Sequence, residues 1–239
     1  MANNTLQDTV NYVVPFCRYQ AANIGTSNMP MVGIASVVRN IILAAPFQWR
    51  FNRDVNSDIV TEKGTQDYDE TIANFGFLEK ATLTDIQGKI WEIKDVKNND
   101  PLAVSTTEAR PQSVAVEGDD GAGNLVFRFS AVPEAVYKVG LIYQKSPVKF
   151  TSASDPWGPI PDSFSDVYNN LCLGYYMDSC QDGRAPQYIA RGIAGLLARS
   201  QGLSAMDKAL FAQSYMNFNM QEMLNQLKTQ QGAQAQGQR

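Results

Sequence analysis

The 239-residue chain contains no histidine. Histidine is the commonest general base near neutral pH and the commonest zinc ligand. Its absence excludes nucleophilic catalysis of the Ser-His-Asp and Cys-His kinds, in which an imidazole accepts the proton of the nucleophile. An enzyme would have to use carboxylates, lysine or tyrosine alone, so we predict that the chain is not an enzyme.

Cysteine is scarce as well. Cys17, Cys172 and Cys180 are an odd number and lack C-x-x-C spacing, which predicts neither a disulfide framework nor a metal knuckle. This pattern fits folding in a reducing compartment. No phosphate-binding glycine loop is present either, and we expect no cofactor and no metal.

The chain has no basic excess and no long apolar run. It carries 24 acidic and 20 basic residues, a net charge of -4, whereas sequence-independent binding to nucleic acid normally needs excess positive charge. The longest apolar stretch, residues 31–47, contains Arg39 and Asn40 and falls short of the roughly 20 residues of a membrane span. Met1–Thr5 lacks the features of a signal peptide. We expect no membrane role.

The N-terminal region has helical patterns. Residues 5–14 predict a short helix ended by Pro15, and residues 31–44 carry apolar side chains at helical spacing until Pro46. The run 47–52, in which aromatic and polar residues alternate, predicts a half-buried strand.

Residues 54–149 instead have strand patterns separated by turn residues, typical of a mainly antiparallel sheet. The predicted strands are 75–84, 89–93, 113–117, 125–129 and 137–144. Asp67, Asp69 and Glu70 fall between patterns and are predicted to lie in an exposed loop.

After the sheet region comes a segment that we call the joint, residues 143–164. Three prolines and a glycine between residues 156 and 161 exclude a regular element there. Helices are predicted from Phe164 to about Asp182, over 185–199 and over 204–227, with Asp162 or Ser163 as the first N-cap. Gly192 and Gly195 are interpreted as positions at which helices pack closely.

The last predicted helix carries a methionine stripe that has two interpretations. The stripe is ordinary core packing, which we favour, or an adaptable surface that meets a partner. Residues 229–239 are rich in glutamine and are expected to be disordered unless a partner orders them. The possible partner-docking residues are Met216, Met220, Met223, Leu227, Gln230 and Gln231.

These patterns predict an α+β fold in which N-terminal and C-terminal helices form one helical bundle and a mainly antiparallel β domain is inserted between them. The predicted divisions are an N-terminal helical part (1–52), a β-rich domain (53–150), the joint with the C-terminal helices (151–228), and a flexible tail (229–239).

Two motifs resemble those of head-to-tail adaptor (connector) proteins of tailed bacteriophages, in particular the tail tubular A type. The first is Phe47-Gln48-Trp49-Arg50-Phe51-Asn52, which is similar to the Trp-x-Phe-Asn that closes the family's first helical part. The second is the joint, which is similar to the family's passage from the last strand into helices through Ile-Pro-Asp and an aromatic residue. Its Trp157, Ile160, Pro161 and Asp162, together with Trp49 and Phe51, are expected to be packing residues.

The resemblance implies a virion structural protein of the neck or tail that is assembled in the host cytoplasm. Such a subunit forms a homo-oligomeric ring, commonly a dodecamer, under the portal protein. The ring lets the genomic DNA pass without specific binding and provides the attachment platform for a tail or nozzle protein.

Two alternatives remain open. The first is another tail structural protein, such as a terminator or a subunit of the tail hub or tube. The second is a nucleic-acid-binding module that uses Arg184, Arg191 and Arg199, which fall in one helical stretch.

Overall fold

The structure is a computed structural model that describes residues 4–16, 30–96, 102–119 and 124–214. The chain divides into two compact units. One comprises Met1–Ile42 with Lys149–Arg239 and is called the helical unit; the other, Leu43–Val148, is called the sheet unit. The chain passes from one unit to the other twice, and the second boundary, between Val148 and Lys149, falls inside the joint.

The helical unit begins with a helix whose start is determined by two neighbouring side chains. Thr5 and Asp8 form a capping box, in which each side chain binds the backbone N–H of the other residue. This arrangement satisfies two of the free donors at a helix start. The helices are α1 (Leu6–Val13), α2 (Pro30–Leu43, whose last residue falls in the sheet unit), α3 (Ser165–Ser179), α4 (Ala185–Arg199) and α5 (205–214 within the described residues).

Helices α3 and α4 pack closely because glycine occurs at their contact points. A Cβ atom at Gly192 would lie 2.5 Å from Leu171 Cγ, and one at Gly174 would lie 2.6 Å from Ile189 Cγ1. Real Cβ atoms do not approach other atoms so closely, so each position requires glycine for this spacing. The predicted packing role of Gly192 is confirmed.

The sheet unit contains a seven-stranded sheet with the strand order β1-β7-β3-β4-β5-β6-β2. Neighbouring strands are antiparallel except β4 and β5, which pair in parallel through Lys94 and Ser113. One face encloses the core of the unit, where Leu83, Phe127 and Leu141 are fully buried. The strands are β1 (Arg53–Asn56), β2 (Asp67–Glu70), β3 (Phe75–Thr84), β4 (Ile90–Asp95), β5 (Ser113–Asp119), β6 (Leu125–Phe129) and β7 (Lys138–Lys145).

The predicted single bundle of N-terminal and C-terminal helices is wrong. The fold is α+β with a strand-rich core, a curled, mixed half-barrel sheet, and helices that do not form a terminal bundle. Irregular chain meets the start of α1: Leu6 N–H donates to Asp155 O at 3.0 Å and Gln7 N–H donates to Ala153 O at 2.9 Å. Helical periodicity did not identify this partner.

Three local predictions are also wrong. Residues 47–52 do not form a strand: the chain turns through a short 3-10 helix, Arg50–Asn52, and the strand begins at Arg53. The acidic residues 67–70 form the edge strand β2 instead of a loop. Neither Asp162 nor Ser163 caps α3, which follows directly on the 3-10 helix Asp162–Phe164.

Other predictions are confirmed. The bounds of β3, β6 and α4 agree with the predicted ranges, and Asp207 N–H donates to Ser204 Oγ at 3.1 Å at the start of α5. None of the helices in the described ranges is both long enough and apolar enough to cross a membrane.

Candidate functional site

The first adaptor-like motif forms a stack of three aromatic rings in the sheet unit. The ring centroids of Phe47 and Trp49 lie 5.6 Å apart, those of Trp49 and Phe51 lie 5.5 Å apart, and both pairs have an interplanar angle of 11°. Phe47 and Trp49 are buried. Offset parallel stacking of this kind stabilises a turn that has little regular hydrogen bonding.

Polar groups hold this motif to the end of β7. The Trp49 N–H donates to Gln144 Oε1 at 3.1 Å, and Asn52 Nδ2 donates to Lys145 O at 2.9 Å. The amide of Gln144 is fully buried and also donates to Glu79 Oε2 at 2.9 Å. The first motif therefore packs on the strand that begins the second motif.

Sequence reasoning assigned no role to Gln144. Alternation along β7 places Tyr143 on the buried core face and Gln144 on the opposite face. The first motif covers that opposite face, and a strand pattern carries no signal for such a contact.

A groove of about 610 Å³ lies beside the first motif within the sheet unit. The described residues that line it are mostly apolar, and Asp95 is the one ionisable side chain among them. Its lining residues are Ala45, Pro46, Gln48, Phe75, Gly76, Phe77, Leu78, Asp95, Val96, Val116 and Leu125.

Trp157 is the centre of the second motif and is fully buried in the helical unit. Its indole Nε1 donates to Thr9 Oγ1 of α1 at 2.9 Å, and its ring stacks on Tyr168 of α3 with centroids 4.3 Å apart. The Tyr168 hydroxyl in turn donates to Ala35 O of α2 at 3.0 Å. Burial raises the pKa of Tyr168 well above its usual value, so the phenol stays protonated and can donate. We call Thr9, Ala35, Trp157 and Tyr168 the Trp157 cluster; it connects three helices.

The rest of the joint binds the chain that leads into α1. The Trp157 N–H donates to Asn4 O at 3.1 Å, and the Asn4 N–H donates to Asp162 Oδ1 at the same distance. Ile160 is fully buried, and Pro161 directly precedes the 3-10 helix. Asp162 thus holds the N-terminal segment instead of capping α3.

The structure divides the six predicted packing residues between the units. Trp49 and Phe51 belong to the sheet unit, while Trp157, Ile160, Pro161 and Asp162 belong to the helical unit. The contacts given above for Trp157 all lie within the helical unit.

The possible partner-docking residues lie outside the described residues, which end at 214. A docking role for Met216, Met220, Met223, Leu227, Gln230 and Gln231 therefore stays a prediction.

The three arginines of the nucleic-acid alternative are engaged within the helical unit. Arg184 pairs with Asp182 at 2.7 Å, Arg199 pairs with Asp166 at 2.8 Å, and Arg191 lies over a tyrosine ring. Two of the three charges are therefore partly neutralised, which weakens their attraction for phosphate.

The described part of the chain holds no group of three Cys, Asp or Glu side chains close enough to bind a metal ion. Cys172 is buried, which raises the pKa of its thiol well above its usual value, while Cys180 is exposed. A buried neutral thiol is inert towards metals and oxidants.

No protein-family model matches the chain, and no curated protein matches it in sequence. The likeness to phage adaptors consequently depends on the two motifs and their order.

Proposed function

We propose that this chain is a virion structural protein: a head-to-tail adaptor that forms a ring under the portal, extends the DNA channel and provides the attachment platform for the tail. The observation that carries the proposal is the order of the two motifs, with Phe47–Asn52 at the end of the N-terminal helices and Trp157–Phe164 at the start of the C-terminal ones.

The geometry of the motifs supports a structural role for them. Their aromatic residues are used in packing, as a stack on β7 in one unit and as the Trp157 cluster in the other. Side chains used in packing in this way can hold surfaces in place for assembly. A ring requires two different surfaces on each subunit that meet head to tail and close by rotation.

The charge distribution supports a channel that releases its DNA. A conduit must avoid the many phosphate contacts that would hold the duplex. The net charge is -4, and the arginines of α4 pair with acidic side chains or lie over an aromatic ring. The same observations disfavour the nucleic-acid-binding alternative.

The test is reconstitution with the portal protein of the same phage. We expect the purified full-length protein to form a stoichiometric ring complex with the portal, visible in negative-stain images and by native mass spectrometry. A monomer in the absence of portal is compatible with the proposal, because the portal can template the ring. Failure to bind an intact portal preparation would refute it.

Imaging whole particles with an antibody against this chain distinguishes an adaptor from another tail structural protein. Label in contact with the portal supports an adaptor. Label further along the tail supports a terminator, hub or tube subunit.

A further inference from the structure

Arg39 is a charged side chain buried in the apolar face of α2. Only 5% of the residue is exposed, and its neighbours on that face, Ala35, Val38 and Ile42, are fully buried. Burying a charge is costly unless the charge is paired and hydrogen-bonded. The surroundings of this guanidinium therefore need an explanation.

The protein compensates this charge only in part. The guanidinium carbon lies 3.8 Å from the ring centroid of Phe150, and a cation above an aromatic face is stabilised by the quadrupole of the ring. That contact covers one face of the planar group and leaves its five N–H donors in the plane. Among the described residues, none accepts a hydrogen bond from Nε of Arg39, which is fully buried, and no carboxylate forms an ion pair with Arg39.

Tyr168 and Asp155 act on the guanidinium electrostatically, and each also makes hydrogen bonds to other groups. Asp155 Oδ2 accepts hydrogen bonds from the N–H and the hydroxyl of Thr151 and from the N–H of Ser152. The Tyr168 hydroxyl donates to α2. Among the described residues, no ion pair joins Asp155 to Arg39, and neither group accepts a hydrogen bond from Nε of Arg39.

Space is open on one side of the guanidinium. Gly158 has φ +81°, and a Cβ atom built there would have Arg39 Nη1, 3.8 Å away, as its single neighbour within 4 Å among the described residues. A glycine in the left-handed region at this point keeps side chains away from the Nη1 edge. An anion that approaches beside Gly158 would reach this edge.

We propose that Arg39 forms an anion site beside Gly158 for a small oxyanion that presents two oxygens to the guanidinium, such as inorganic phosphate or a free carboxylate. The planar fork of arginine matches the two oxygens of either group and binds them side by side. The anion would supply the charge and the acceptors that the described residues do not. The negative Asp155 nearby opposes binding, so we expect a dissociation constant on the order of 1 mM, corresponding to roughly -4 kcal/mol. The proposal is independent of the ring function.

The first test measures the melting temperature of the full-length protein at constant pH and ionic strength, while chloride is replaced by phosphate in one arm and by acetate in the other. We expect a rise that begins near the dissociation constant, grows with the logarithm of the anion concentration and reaches roughly 5 °C at about 20-fold above that constant. The anion whose rise begins at the lower concentration is the preferred source.

Variants separate this site from general salt effects. Arg39→Met removes the charge and keeps most of the volume, and it should abolish the anion-dependent rise in melting temperature. Arg191→Met, at an exposed arginine over a tyrosine ring, should leave the rise unchanged. An equal rise in the Arg39→Met and wild-type proteins, or no rise in the wild type, would overturn the proposal.

A second measurement does not require Arg39→Met to fold. NMR spectra are recorded of the wild-type and Arg39→Lys proteins, both labelled with ¹⁵N-arginine. The arginine Nε–H signal that is present in the wild type and missing from the variant is assigned to Arg39. A saturable shift of that signal with phosphate or acetate supports the site. A signal that does not move at 20 mM of either anion, about 20-fold above the expected dissociation constant, refutes it.

Discussion

The buried hydrogen bond between Trp157 and Thr9 yields the sharpest prediction about stability. Replacing Thr9 with valine keeps the shape of the side chain and removes the acceptor of the indole N–H. Both residues are fully buried, so water cannot replace the lost partner. An unsatisfied buried donor costs about 1–3 kcal/mol, and we expect Thr9→Val to lower the free energy of unfolding by about 2 kcal/mol.

A double-mutant cycle isolates this bond from packing. Trp157→Phe removes the N–H and some ring volume, and it leaves the Thr9 hydroxyl without its indole donor. In that background Thr9→Val should cost close to zero, since no indole N–H is left to desolvate. The coupling between the two positions should therefore be about 1–2 kcal/mol.

Urea unfolding followed by far-UV circular dichroism is the suitable assay, because it reports on the helices and does not depend on Trp157 fluorescence. Unchanged urea m-values would show that the extent of unfolding is the same in all four proteins. A Thr9→Val cost below about 0.5 kcal/mol, or the same cost in both backgrounds, would contradict the reasoning.

Two further predictions concern glycine and pH. Gly192→Ala should destabilise the protein by about 1–3 kcal/mol, because its Cβ would lie 2.5 Å from a leucine side chain. Gly33→Ala, also within a helix but with no atom of the described residues within 4 Å of its added Cβ, should stabilise it by up to about 1 kcal/mol; urea midpoints that move in the same direction would refute this contrast. Hydrogen bonds to Asp155, first those from the backbone N–H groups of the neighbouring loop, lower the pKa of its carboxyl below the usual 3.8. The ionised Asp155 carboxylate therefore contributes its full stabilisation above pH 3.8, and this stabilisation is lost as the pH falls through the lowered pKa of the carboxyl. Asp155→Asn should flatten the loss of melting temperature with acid in this range, and parallel curves for the two proteins would contradict this assignment.

The sequence predicted those strands whose own residues show the alternation typical of a strand. The bounds of β3 and β6 could be read from the sequence because β-branched or aromatic residues alternate and turn residues follow. Strands β1 and β2 could not be predicted, since each has only four residues, none of them buried and at least two of them charged. They form through contacts supplied by other strands, such as the ion pair of Asp67 with Arg128 on β6.

The error in the predicted bundle has a related cause. An apolar stripe shows that a helix is covered but not which part of the chain covers it. Irregular chain at residues 153–157 provides backbone acceptors and a pairing partner for the start of α1. The bond from Trp157 to Thr9 spans 148 positions, and no local pattern encodes such a distance.

Edge strand β1 bears on how subunits of a ring could meet. An open strand edge is a template for pairing with another chain, and proteins block such edges with charged or turn-forming residues. Here the Val55 N–H donates to the carboxylate of Asp54 at 2.9 Å, and the Asp58 N–H donates to the Asn56 side chain at 3.1 Å. A strand added at this edge would have to displace both bonds and approach the Asp54 and Asp58 carboxylates. If the chain forms a ring, strand addition at β1 is therefore disfavoured as the joining contact. Side-chain surfaces, which can be complementary without exposing a pairing edge before assembly, are the better candidates.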